Sequence, residues 1–430
     1  MISGRRGEDG RFPLPLLPQN VKNCYNKRKF SFDSPGDDSM EEIRTGSAER
    51  VLERILECAA EEKASDIHME PQSSMVRVRF REDGSLRDRF RLPLKMLAGL
   101  SIRSKVMGHM NVGESRLPQD GSCSASFHGV PYDLRISILP SLYGETIVIR
   151  LLSGQVDFIE KNELGMLPLQ EKVFRKCLSR RSGMILTAGP TGSGKTSTLY
   201  AALKMLNRES VSIISVEDPV EYRVQGVTQV QVNEKAGLTF ERGLRSIVRQ
   251  DPDIVMIGEI RDRETAEIAV HAALTGHLVL STLHTNQASD APLRLMDMGI
   301  APYLISASLS LVIAQRLAGR LCPRCREKAP LSEKEQKDLA LPEKFCGLPL
   351  YRKKGCPSCH EGIRGRIGVF EMISIGRRER DILHHGFSDG RFRECMKEQG
   401  QPSMGEAALA LMEEGIIPPE EASMILAGEE

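Results

Sequence analysis

Met184-Ile185-Leu186-Thr187-Ala188 runs without a charge straight into Gly189-Pro190-Thr191-Gly192-Ser193-Gly194-Lys195-Thr196. An apolar strand, the spacing Gly-x-x-x-x-Gly-Lys-Thr, and a helical run from Thr196 to Asn207 make one strand–loop–helix unit shaped around phosphate. The glycines at 189, 192 and 194 reach backbone angles closed to other residues and keep Cβ atoms out of the phosphate's way. N–H groups of the loop, with Pro190, Thr191 and Ser193 in it, then form an anion-binding concavity at the positive end of the following helix. Lys195 is expected to reach the β- and γ-phosphates of ATP, and Thr196 to ligate Mg²⁺. A glycine-rich turn that binds nothing would not need this eight-residue pattern with both flanks correct.

Around this unit, buried strands and helices alternate, as in a doubly wound parallel sheet. Val211 to Val216 is a strand ending in Glu217-Asp218-Pro219. Thr239 can cap a helix running to about Gln250. Asp253 to Ile257 is a second strand, followed by Gly258-Glu259, and Leu278 to Leu283 a third, followed at once by His284. A helix from Glu264 to Leu274 stops at Gly276. In such sheets ligands bind beyond the carboxyl ends of the strands, where Lys195, Glu217, Asp218, Glu259 and His284 all fall. Glu259, ending a buried strand, is the expected general base for an attacking water. Gly258 stands where a generic Walker B strand carries Asp, so Mg²⁺ ligation is expected from Glu217, Asp218 or an intervening water; strand-end turn chemistry with Pro219 is the other reading of that pair. His284 could sense the γ-phosphate across a water. His277 is harder to place, and either histidine could equally be a satisfied strand-end residue.

The 430-residue chain is long enough for two or three domains. Residues 1–47 read as a disordered polar tail, with a basic patch at Lys27-Arg28-Lys29. Residues 48–153 read as a small α+β domain: a helix with Val51, Leu52, Ile55, Leu56, Ala59 and Ala60 on one face, a strand at Asp66 to Pro71, a hairpin turning at Asp83-Gly84, and strands about an Asp120-Gly121 turn. In the hairpin, Val76, Val78 and Phe80 alternate with Arg77, Arg79 and Arg81, read as a solvated face. Residues 154–165 form the expected linker, and 166–430 the nucleotide-binding domain. Cys322-Pro323-Arg324-Cys325 and Cys356-Pro357-Ser358-Cys359 can present four thiolates to one structural Zn²⁺, and their pattern defines a subdomain over 320–362. Cys346 lies between the pairs as a bystander. The ten cysteines show no dense disulfide framework, which implies a reducing compartment. No apolar run approaches the roughly eighteen residues that cross a bilayer, and no signal peptide is evident, so cytoplasm is expected. A net charge of +1 and the absence of Trp argue against nucleic acid as a partner.

The ordered boxes resemble a known family. They are Ala64-Ser65-Asp66-Ile67-His68-Met69-Glu70-Pro71, the P-loop, Val216-Glu217-Asp218-Pro219-Val220-Glu221, Leu244 to Asp262 with Gly258-Glu259, Thr275-Gly276-His277 to Asn286, and Gly365 to Glu371. The chain is similar to the secretion ATPase superfamily, the motors of type II secretion and type IV pilus assembly. The resemblance implies an α/β fold: a RecA-like P-loop ATPase domain preceded by a small PAS-like α+β domain, with a tetracysteine zinc subdomain. It implies a homohexamer in which hydrolysis opens and closes an interdomain cleft and drives an inner-membrane platform that extrudes pilin-like subunits. Under it, Gly258-Glu259 is the family's own Walker B ending, and Arg135 and Arg150 match arginines that neutralise the γ-phosphate. The cysteine pairs look like those of assembly and secretion motors rather than retraction motors. Many assembly members carry a further N-terminal domain; only the short tail precedes Ala48 here, so docking is expected to differ. The expected function is a cytoplasmic ATPase, peripheral at the inner membrane, driving pseudopilus assembly in type II secretion. Type IV pilus assembly is the alternative, and a RecA-like nucleic-acid translocase or a zinc-dependent scaffold are alternatives of other classes.

Overall fold

The computed structural model describes residues 46–153, 164–385 and 387–428. The expected tail and linker lie almost wholly outside the described residues.

In the first half, α1 (Ala48–Glu61) packs on β1 (Asp66–Pro71), β2 (Met75–Glu82), β3 (Ser85–Pro93), β4 (Gln119–Phe127), β5 (Val130–Ser141) and β6 (Gly144–Ser153), with α2 (Leu97–Met107) between β3 and β4. The strands form one antiparallel sheet in the order β3-β2-β1-β6-β5-β4. Ser47 caps α1, and the predicted apolar face of that helix is fully inside. β2 alternates as expected, with Val76, Val78 and Phe80 buried. Its arginines are not simply solvated: Arg77 Nε donates to Asp88 at 2.7 Å, Arg79 pairs with Glu70, and Arg81 lies 3.7 Å from Asp66. Adjacent strands place acids within cross-strand reach, which single-strand periodicity cannot reveal.

Asp120-Gly121 is not a turn. Both residues lie within β4, opposite Ser137 and Ile136 of β5. A Cβ on Gly121 would fall 2.1 Å from the Gly108 carbonyl oxygen, so the glycine marks a close approach of the chain leaving α2. The reversal comes later, at His128-Gly129, with φ of 51° and 78°.

The second half opens with α3 (Pro168–Leu178), β7 (Gly183–Ala188) and α4 (Lys195–Leu206), and continues through β8 (Ile213–Glu217), β9 (Thr228–Gln231), α5 (Phe240–Ile247), β10 (Ile254–Ile257), α6 (Arg263–Leu274) and β11 (Leu278–Leu283). Then come α7 (Asp290–Asp297), α8 (Pro302–Ser308), β12 (Leu309–Leu321), β13 (Glu327–Pro330), α9 (Glu333–Asp338), β14 (Pro349–Arg352) and β15 (Ile363–Ser374). Helices α10 (Arg377–His385), α11 (Asp389–Glu398), α12 (Met404–Glu413) and α13 (Pro419–Ala427) close the described chain. The seven-stranded sheet runs β15-β12-β7-β11-β10-β8-β9, parallel except for β15. Met184, Leu186 and Ala188 enter one core while Ile185 enters the other, so β7 is covered on both faces and reads as a continuous apolar run. Thr239 caps α5 by accepting from the Arg242 N–H, and Asp262 caps α6 from Thr265.

Candidate active site

The loop after β7 needs its glycines. Gly189, Gly192 and Gly194 have φ of 146°, 79° and 87°. A Cβ on Gly189 would fall 2.5 Å from both the Gln315 carbonyl oxygen and Ser193 Oγ, and one on Gly194 would fall 2.7 Å from Gln315 Nε2. Gln315 comes from β12, which lies beside β7 with Ala314 opposite Ala188. Its Oε1 accepts from Thr198 Oγ1 at 2.7 Å, locking the first turn of α4 to the sheet. Lys195 is buried, and Nζ donates to the carbonyls of Gly189 at 2.7 Å and Pro190 at 3.0 Å. Burial lowers its pKa, and Glu259 opposes that shift. Ser193 Oγ is buried with no hydrogen-bond partner among the described residues. A buried hydroxyl without a partner, beside a buried ammonium and glycines that admit no Cβ, fits a polyphosphate anion. Thr196, half-buried in the first turn of α4, and Asp218 offer the hard oxygen donors that Mg²⁺ takes. Pro190, Thr191, Gly192 and Ser193 open into a cleft of about 650 Å³, whose far side includes the β2–β3 turn at Asp83 to Arg87. Nucleotide would thus lie between the P-loop and that turn of the first sheet.

Four parallel strands end side by side at this loop. Ile257 of β10 is opposite both Val216 of β8 and Ser281 of β11, and Leu283 of β11 is opposite Ala188 of β7. Ser281 Oγ donates to the Ile257 carbonyl and Thr282 Oγ1 to that of Gly258, each at 2.9 Å, pinning the strand ends. Glu259 emerges here, its side chain 14% exposed, with His284 Nε2 at 3.0 Å and Arg261 paired to its other oxygen. The fold therefore brings Lys195, Glu259 and His284 together. Arg261 went unassigned in the sequence, although it stands two residues beyond Glu259. Gln315 left no signal there, because only sheet order sets it beside the loop.

Glu217 differs from expectation. It is 2% exposed, and its oxygens are taken by Ser215 Oγ at 2.6 Å, Gln229 Nε2 at 3.2 Å and the Tyr200 hydroxyl. A buried carboxylate needs donors, and those available come from α4, β8 and β9 rather than from solvent or phosphate. The tyrosine hydroxyl is driven far above its usual range by burial and by Glu217, so it stays a donor. His277 does not join the cluster either. It precedes β11, a six-residue strand, and so lies about 20 Å from the residues at its carboxyl end. Its Nδ1 is 3.0 Å from the Ala272 carbonyl oxygen. Arg135 and Arg150 are cross-strand neighbours on β5 and β6. Arg135 Nη2 reaches the Val220 carbonyl, just past Asp218, at 3.4 Å, and Arg150 Nε donates to Asp66 at 2.9 Å. Among the described residues neither hydrogen-bonds to the P-loop.

The cysteine pairs meet where β12 and β15 extend beyond the sheet. The sulfurs of Cys322, Cys325, Cys356 and Cys359 all lie within 4.8 Å of one another. Separations of 3.9 Å (322–356), 3.6 Å (325–359) and 3.5 Å (356–359) approach the edge of about 3.8 Å that tetrahedral Zn–S bonds of about 2.3 Å require. The Ser358 backbone N–H leads in lowering the Cys356 thiol, while burial raises those of Cys325 and Cys359, so without a cation one thiolate of the cluster is favoured over its neighbours. Cys346 is exposed and outside the cluster.

The sequence model of the family described as Type II/IV secretion system protein matches residues 41–424. The chain is 44% identical over 386 residues to the type II secretion system protein E of Pseudomonas aeruginosa, spanning 90% of this chain and 76% of that one. It is 43% identical over 424 residues to the type IV pilus assembly ATPase PilB of Myxococcus xanthus, spanning 98% and 72%. Its fold is similar to the X-ray structure of the Legionella pneumophila ATPase DotB, with a TM-score of 0.67 at 21% identity, over 92% of this chain and 98% of that one. Among the described residues, no helix is long and apolar enough to cross a membrane.

Proposed function

The chain belongs to the family of type II/IV secretion system proteins, and on that premise we propose that it hydrolyses ATP to drive pseudopilus assembly in type II protein secretion. The observation that carries the reading is the convergence of Lys195, Glu259 and His284 on one glycine-lined loop at the carboxyl end of a parallel sheet. Lys195 exchanges its loop carbonyls for the β- and γ-phosphates, and Ser193 and the loop N–H groups hold the same anion. Glu259 accepts a proton from water as its oxygen bonds to the γ-phosphorus and the bond to the β-bridging oxygen breaks, releasing ADP. Arg261 and His284 hold the carboxylate from two sides, which restricts its rotamers for that step. Thr196 and Asp218 would hold Mg²⁺, which supplies charge neutralisation on the phosphates. Glu217 is a positioning residue: through Tyr200, Ser215 and Gln229 it fixes the turn that carries Asp218.

The proposed mechanical step is opening and closing of the cleft between the P-loop and the β2–β3 turn, with Arg135 and Arg150 carried by the same six-stranded sheet as that turn. A homohexameric ring on the cytoplasmic face of the inner membrane, docked on platform proteins, converts that closure into extrusion. Four cysteine ligands leave no open position, so a zinc ion there is structural. Type IV pilus assembly is the second reading, favoured by the match of 98% of the chain to a pilus motor.

Glu259→Gln tests the reading. Nucleotide binding is expected to persist while turnover falls by about 10²–10⁴-fold, the range for loss of a general base. Unchanged turnover removes Glu259 from its role, and stimulation by DNA would favour a translocase. Co-purification with candidate platform proteins separates secretion from pilus assembly.

A further inference from the structure

A second cavity, of about 440 Å³, lies at the amino ends of the parallel strands, across the sheet from the P-loop. Arg180 and Arg181, which follow α3, line it together with Arg380 of α10, Ser182 and Ser310. Gly183 opens β7 on its wall, with φ of 122°, and a Cβ there would fall 2.2 Å from Ser310 Oγ. The Gly183 N–H donates to the His277 carbonyl at 3.2 Å, which places this end of β7 beside the histidine that the catalytic cluster left out.

The charges around this cavity are unbalanced. Nearby, Arg175 on α3 pairs with Glu171 and Arg378 on α10 pairs with Glu398. Arg180, Arg181 and Arg380 make no ion pair among the described residues. The buried Glu379 cannot serve them, since its oxygens accept from the Gly376 N–H at 2.8 Å and Gln399 Nε2 at 2.8 Å. Guanidinium groups gathered on one concavity repel each other, and a multiply charged anion reverses the sign of that interaction. Their planar forks match phosphate oxygens, and the two serine hydroxyls add neutral donors.

We propose that this cavity binds a phosphoryl group, carried either by a soluble anion or by a lipid headgroup, at a site separate from the P-loop. One strand joins the two sites: β7 begins in the arginine cavity and ends in the phosphate loop.

The test uses the full chain carrying Lys195→Ala, which weakens the P-loop site, titrated with inorganic pyrophosphate by calorimetry. One binding site is expected to remain. Adding Arg180→Ala and Arg380→Ala is expected to weaken it at least about tenfold, as charge-assisted bonds are lost. Arg180→Lys with Arg380→Lys should recover part of the affinity, because charge is kept. Cosedimentation with phosphatidylglycerol vesicles, against phosphatidylcholine vesicles, reads the lipid source in the same variants. Loss of pyrophosphate binding alone supports a soluble anion, and loss of vesicle binding supports a headgroup. The alanine pair in an otherwise unaltered chain should keep ATP turnover, which shows that it folds, and should lose one of two pyrophosphate sites, which covers a Lys195→Ala chain that does not fold. The proposal is overturned if neither pyrophosphate nor vesicles bind a folded Lys195→Ala chain, if the alanine pair in the unaltered chain keeps both pyrophosphate sites and its vesicle binding, or if the alanine pair changes only the oligomeric state.

Discussion

Glu217 and Glu62 are both acids crowded by other side chains, Glu217 inside the fold and Glu62 partly exposed at the end of α1, with different consequences. Glu217 is met on both oxygens by Tyr200, Ser215 and Gln229, so it serves as a fixed acceptor. Glu62, at the carboxyl end of α1, shares one guanidinium with Glu82: Arg89 Nη2 lies 2.5 Å from the first and 2.7 Å from the second. Burial pushes the Glu62 carboxyl up from 4.5 to about 7, and Arg89 opposes it. The folded state therefore holds a proton that the unfolded chain releases at lower pH. Its stabilising contribution is complete below the unfolded value and is lost as pH rises through about 7. Calorimetric unfolding of the six-stranded unit should show a falling melting temperature between about pH 5 and pH 8, and Glu62→Gln should flatten that slope. A slope unchanged by Glu62→Gln would refute the assignment. At this scale the sequence exposed Lys195, Ser193 and Glu259 through spacing. Tyr200, Gln229 and Gln315 stayed silent, because each acts through a neighbour that is distant in the chain.

Elements were legible where one period dominated. The apolar stripe of α1, the alternation of β2 and the continuous apolar runs of β7, β10 and β11 each name their own burial. β4 misled because Asp-Gly signals a reversal locally, while here Gly121 answers a contact from Gly108. The cysteine pairs were legible for the opposite reason, since each C-x₂-C is a local unit and only their meeting is tertiary. Purified protein is expected to hold roughly one zinc per chain, and Cys356→Ser to remove most of it. The melting temperature should fall by several degrees, as the loops joining β12 to β15 lose their cross-link. Metal content unaffected by Cys356→Ser, by atomic absorption, would refute the site.

At the scale of the whole molecule, the β2–β3 turn of the antiparallel sheet lies across a cleft from the P-loop of the parallel one, and Arg135 reaches the chain beside Asp218 from that first sheet. If the proposed motor works as a ring, turnover per subunit should rise with protein concentration and track the assembled species in sedimentation. A monomer with full activity would contradict it. The sequence by itself determined the phosphate loop, the strand ends that flank it and the two thiol pairs, because each depends on residues close in the chain. Tertiary structure alone decided that Glu217 is spent on internal donors, that His277 stands at the wrong end of β11, and that three arginines without an ion pair among the described residues, two after α3 and one on α10, share one cavity. Those outcomes depend on strand order and on which distant side chains arrive first at a buried charge, and no local pattern encodes either.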